Sequence, residues 1–339
     1  MSKPHVVPPS ISRRRFLATT AAAALVASTH VKAGSADIRY RLGMSQPTDS
    51  PNYIRLKEMV DGVRAETGGR MQIDMYPAGK LGSDNVMLNM LQSGEMELYM
   101  AGNVLGPLVP VTEMPGLPFI FRNTVDVFSA LDGDVGDYIR DELLAKGIYT
   151  FAYFDNGFHH ITTSTKPVRT VEDLVGMKMR TPVQKMTVDF FETLGAKPMT
   201  FPLSQLYQVC KDRTVDAQTD PLGLAYLMKL YEVQTYLSLT NHWWSGFTFV
   251  ANAQAWKALP PDIQSVMMKH ARTAALAQRK DIGQLNANAL TWLRDKGMIV
   301  NEADTSGLRK PLGPFYARWK EVYGPKAWAL LEKHVSKLV

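Results

Sequence analysis

His159 and His160 form the nearest approach to a metal pair in a chain whose seven histidines are otherwise scattered. Neighbours on an extended strand face opposite sides, so the two cannot chelate one ion together, although either could contribute alone. Asp212 and Asp216 lie four apart, yet Lys211 and Arg213 flank the first of them. That pattern describes a solvated helix end, whereas a catalytic carboxylate pair needs a pocket. The sequence has no G-x-S-x-G elbow, no H-E-x-x-H, no phosphate loop and no G-x-G-x-x-G following a strand. Neither catalysis nor a metal or other cofactor is therefore expected. The one cysteine, Cys210, cannot close an intramolecular disulfide and reads as a small buried apolar residue in the helical run LYQVC.

Charge and compartment are linked through the N-terminus. Arg13-Arg14-Arg15-Phe16-Leu17 precedes an apolar stretch over 18–27 and then Val31-Lys32-Ala33. A charged region, a short apolar core and a small-residue cleavage site make a signal peptide over 1–33, and the paired arginines resemble the twin-arginine export signal. The alternative is a basic amphipathic anchor. The apolar core is far short of the ~20 residues needed to span a bilayer, and no lipid-accepting cysteine follows it. The expected location is the periplasm, with no stable membrane insertion of the mature chain. Residues 1–33 carry Lys3, Arg13, Arg14, Arg15 and Lys32 and no acid, so the net charge of +6 falls to 6 − 5 = +1 without them. A near-neutral mature chain lacks the basic face that nucleic-acid binding requires.

The elements that must position any site alternate between strand and helix, the pattern of an α/β protein. Strands are expected at 38–44, 71–76 and 98–101, with amphipathic helices at 52–66 and 84–94 between them, giving a parallel βαβαβ opening. Further on, 149–153 and 160–162 read as two strands, 178–180 as a strand ending at Pro182, 185–194 as a helix closed by Gly195, and 217–218 as a short strand. Thr170-Val171-Glu172-Asp173 has the form of a capping box. Pro260-Pro261 opens a helical pattern reaching 296, about 54 Å at 1.5 Å per residue. That length exceeds one small domain and marks a strut across two lobes, with Gly283 as a place to bend.

Five blocks in order give the chain a resemblance to the TRAP (tripartite ATP-independent periplasmic) transporter solute-binding proteins, the DctP-like family. They are TGGRMQIDMYPAGKLGSD (67–84), LPFIFRN (117–123), KPVRTVEDLVGMKMRTP (166–182), KLYEVQTYLSLTNH (229–242) and WKALPPDIQ (256–264). The resemblance implies two α/β lobes around a ligand cleft, built from discontinuous segments: 36–156 plus 246–285, and 157–245 plus 286–339. It implies a small organic carboxylate as ligand, hinge closure around it, delivery to a TRAP membrane permease, and a monomer. Service to a sensor or another transporter is the alternative within the class. Outside it stand an enzyme using His159 and Asp220 as base and partner, and a structural protein without ligand-coupled closure.

The resemblance assigns Arg180, in MKMRTP, to the ligand carboxylate, a role suited to a planar guanidinium fork that stays charged when desolvated. His159 stands where many members carry a second arginine, and Asp220 where many carry an asparagine. A fixed positive charge is lost and a negative one gained, so a monocarboxylate bearing a hydroxyl, keto or amino group is expected over a dicarboxylate, unless His159 is protonated. Otherwise His159 is a hydrogen-bonded spacer, and Asp220 a partner that holds Arg180 in place. Leu203 occupies a position where an aromatic often stacks on ligand. One of Trp243 and Trp244 is expected to wall the pocket over an apolar part of the ligand, and the other to join the core, since strand neighbours face opposite ways.

Overall fold

A computed structural model describes residues 38–338, so the signal-peptide reading of 1–33 lies outside the described residues. Three strands open the chain: β1 (Ile38–Met44), β2 (Met71–Tyr76) and β3 (Leu98–Ala101). They are joined by helices Pro51–Glu66 and Asp84–Ser93, and β1 pairs parallel with both other strands. The first helix starts where Ser50 accepts the Tyr53 N–H and Pro51 supplies a preset φ.

The next strand departs from expectation. The two short segments foreseen around 149–153 and 160–162 are one strand, β4, running sixteen residues from Ile148 to Thr163. Asn156-Gly157 does not break it. Gly157 takes φ +118° where the register shifts between Asp155 and Gly157, so the chain absorbs a bulge and keeps pairing. A Cβ there would also meet Asn286 Nδ2 at 2.4 Å.

β4 belongs to two sheets. Its first part pairs antiparallel with β9 (Trp244–Asn252), which continues to β3. Its last five residues pair with β7 (Ala217–Pro221) on one side, and its last three with β8 (Tyr236–Leu239) on the other. Beyond β7 lie β5 (Lys178–Thr181) and β6 (Lys197–Thr200), and beyond β8 lies β10 (Ile299–Glu302). β6, β8 and β10 carry no marked alternation and were not foreseen from the sequence. The result is a two-lobed α/β fold whose lobes share a continuous strand.

The strut is helix Pro261–Asp295, thirty-five residues without interruption at Gly283. Ile263, Met267, Ala271 and Ala274 join the core formed by helix Pro51–Glu66 and the first sheet, while Leu293 joins a separate core with Leu206, Cys210 and Leu237. Between them, fully buried Gln278 accepts from Asp155 N at 2.9 Å and donates to Asp155 O at 2.7 Å. Asn286 accepts from Gly223 N and donates to Asn156 O. The helix is thus fastened to β4 at its bulge by side chains that satisfy backbone groups freed from the ladder.

Candidate functional site

Parallel strands present their carboxyl ends to ligands in open α/β sheets, and a cavity lies at such ends. Ser45 and Gln46 follow β1, Gly102 and Asn103 follow β3, Pro182 and Val183 follow β5, and Pro202 and Leu203 follow β6. Asp220 near the end of β7, Asn156 and His159 from β4, and Phe247 from β9 also line it, with Val104, Leu224 and a second carboxylate residue, Asp84, whose Oδ1 is engaged by Ser45 and Tyr99. Four of the residues singled out in the sequence therefore converge here: Arg180, His159, Asp220 and Leu203.

Arg180 is held in place by backbone. Its Nε and Nη2 donate to the Phe201 carbonyl at 3.1 and 2.8 Å, using two of the five N–H donors of a guanidinium. Nη1 lies 3.5 Å from Asp220 Oδ2. Both side chains are at most 5% exposed. Burial pushes the Asp220 carboxyl up to about 7, with Arg180 pulling the other way. Asp220 Oδ2 accepts no hydrogen bond, and neither does buried Gln46 Oε1. The cavity thus offers a cationic fork and two acceptors without donors.

His159 is wrapped rather than free. Nδ1 lies 3.0 Å from Thr219 Oγ1 and Nε2 lies 2.7 Å from Ser245 Oγ. Thr219 Oγ1 continues to His242 Nε2 at 3.0 Å and accepts from Trp243 Nε1, while His242 Nδ1 reaches Thr240 Oγ1 at 2.7 Å. Burial first, then His242, His160 and Arg180, holds His159 well below the usual imidazole range. A protonated His159 restoring the missing charge is therefore not what this geometry favours. The ring presents a neutral wall whose two nitrogens are already engaged. His160, its neighbour, faces away and accepts from Thr240 N and Asn241 N.

The two tryptophans lie elsewhere. Trp243 precedes β9 and so escapes strand alternation; both it and Trp244 line an adjoining chamber. Trp243 packs on the His159 ring at 4.0 Å between centroids, and Trp244 Nε1 donates to Asp155 at 2.7 Å. The chamber and the cavity share Gly102, Asn103 and Phe247 as a partition. The aromatic ring lining the Arg180 cavity is Phe247. Sequence reasoning missed Phe247, Gln46, Asn103 and Asn156, although the strand-end rule points to Gln46 and Asn103 once the parallel opening is drawn. Cys210 is free and buried, as its setting implied.

Comparison with known proteins agrees with this architecture. Residues 42–322 match the DctP family, described as bacterial extracellular solute-binding protein, family 7. The 2,3-diketo-L-gulonate-binding periplasmic protein YiaO of Escherichia coli K12 is 31% identical over 293 residues, 86% of this chain and 89% of that one. The sugar acid binding protein DctPAm of Advenella mimigardefordensis, solved with galactonate, superposes with a TM-score of 0.84 at 30% identity, covering 87% of this chain and 97% of that one. A TRAP periplasmic solute-binding protein of Polaromonas sp. JS666, solved with D-erythronate, gives 0.84 at 29% identity over 88% and 99%. Among the described residues no helix is long and apolar enough to cross a membrane. The chain belongs to the DctP family of TRAP transporter solute-binding proteins, a family that binds small acids.

Proposed function

We propose that this protein captures a polyhydroxylated monocarboxylate, a sugar acid, in the periplasm and hands it to a TRAP membrane permease without chemically altering it. The observation that carries the reading is the pairing of one cationic fork with unsatisfied acceptors. Arg180 suits a carboxylate, whereas Asp220 Oδ2 and Gln46 Oε1 call for hydrogen donors, and an aldonate supplies one carboxylate with several hydroxyls. Leaving such acceptors buried and unpaired costs ~1–3 kcal/mol each, which a hydroxylated ligand recovers. The acids bound by YiaO, DctPAm and the Polaromonas protein are of this kind.

The working unit is a monomer of two lobes, 36–156 plus 246–285 and 157–245 plus 286–339, closing over the ligand. Calorimetry of the mature protein against gluconate, galactonate, erythronate, succinate and malate tests the proposal. At least one aldonate should bind more tightly than both dicarboxylates at neutral pH; the reverse order would sink it.

A further inference from the structure

The chamber behind the partition is built around a carboxyl group that the sugar-acid reading leaves unused. Glu113 comes from the turn Pro110–Gly116 and is 5% exposed. Its Oε2 accepts from Met186 N at 3.0 Å, at the start of helix Lys185–Thr193. That helix has no local side-chain cap, so a residue 73 positions away caps it. Oε1 lies against bare backbone: a Cβ on Gly106 would come within 1.8 Å of it. Trp243, Trp244 and Phe247 line the same chamber, together with Thr112, Gln184 and Ser245.

Burial pushes the Glu113 carboxyl up to about 7, and a carboxyl sharing its chamber with two indoles and a phenyl ring is the chemistry that receives a nitrogen bearing hydrogens, whose positive charge would hold the carboxyl ionised. The carboxylate accepts its N–H bonds, and the ring faces favour its partial or full positive charge. A hydroxyl would satisfy the carboxylate but gain little from the aromatic faces.

We infer that the chamber is a second compartment of the binding cleft, entered past Asn103 and Phe247, which takes an ammonium or amide N–H group on the distal part of the ligand. The inference rests on the sugar-acid reading and deepens it: the carboxylate sits on Arg180, hydroxyls on Gln46 and Asp220, and the far end carries nitrogen.

Calorimetry with gluconate, 6-amino-6-deoxygluconate and its N-acetyl derivative tests this. One of the two nitrogen-bearing acids should bind roughly tenfold or more tighter than gluconate. Glu113→Gln should bring that ratio down to about one, while Arg180→Ala should weaken all three. If Glu113→Gln does not fold, Glu113→Asp withdraws the carboxylate by one methylene and should shrink the ratio likewise. Gluconate binding as tightly as both nitrogen-bearing acids, or a ratio unchanged in the Glu113 variant, overturns the second compartment and leaves the sugar-acid reading standing. Failure of all three acids to bind counts against the sugar-acid reading itself, and against the compartment with it.

Discussion

Asp220 is expected to set how the site responds to acid. Its carboxyl is buried beside Arg180 and pushed up to about 7. A group titrating there is about 90% ionised one unit above that value and about 10% ionised one unit below it. Ionised Asp220 repels a second ligand carboxylate in a cleft where salt screens poorly, whereas the protonated form can donate a hydrogen bond to it. If a dicarboxylate binds only the protonated form, its affinity should rise about tenfold between about pH 8 and about pH 6, following the protonated fraction. Succinate begins to take up its own second proton at the lower end of that interval, so the part of the slope that belongs to Asp220 is the part that Asp220→Asn removes. Asp220→Asn should bind succinate at about pH 8 as tightly as the parent does at about pH 6, with a flattened profile. His159→Gln should keep the parent slope, because His159 is already neutral across the range. The assay is calorimetric affinity at five or so pH values in a constant-ionic-strength buffer. A flat succinate profile in the parent protein, or an equal slope in Asp220→Asn, refutes the assignment of the titration to Asp220.

The same residue should affect the ligand-free protein. Its folded pKa lies above the unfolded value of 3.8, so its stabilising contribution is greatest below the unfolded value and declines as pH rises through about 7. Asp220→Asn should therefore gain on the order of a few kcal/mol relative to the parent between about pH 4 and about pH 8, read by urea unfolding at both. Arg180→Ala should weaken aldonate binding by several kcal/mol, because a desolvated carboxylate loses its partner; Arg180→Lys should also weaken it, since a point charge does not reproduce the fork. Unchanged calorimetric affinity would remove Arg180 from the site. Gly157→Ala should destabilise by ~1–3 kcal/mol, for φ is +118° and the added methyl meets Asn286; an unaltered urea midpoint would show that the bulge relaxes freely. Replacing Arg13 and Arg14 with lysine should leave precursor in the cytoplasm, and normal maturation on fractionation would point to another export route.

What the sequence made legible was whatever repeats along one element. The parallel opening was readable because strands 38–44 and 71–76 are flanked by amphipathic helices with clear stops, and β1 to β3 occupy those positions. The strut was readable because its apolar positions recur over thirty-five residues. β4 was read as two strands because a bulge and a break share one signature, Asn-Gly, and only the continued pairing to β9 distinguishes them. The short edge strand β6, with its Lys197 and Thr200 ends exposed, gave no alternation to detect.

The site was legible in its charges and opaque in its partners. Arg180, His159 and Asp220 were assigned as a set from their motif positions, and the strand order brings them to one cavity. The electrostatic argument attached to His159 does not survive its surroundings, for reasons no linear pattern contains. Thr219 sits 60 positions away from it and Ser245 86 positions away, and together they occupy both ring nitrogens. The discriminating charge therefore passes to Asp220, whose ionisation depends on burial beside Arg180 and not on residue type. An asparagine in that place would discriminate by hydrogen-bond geometry alone, independently of pH. An aspartate pushed up to about 7 would make the proposed preference for hydroxylated monocarboxylates strongest in alkaline surroundings and weakest in acid ones.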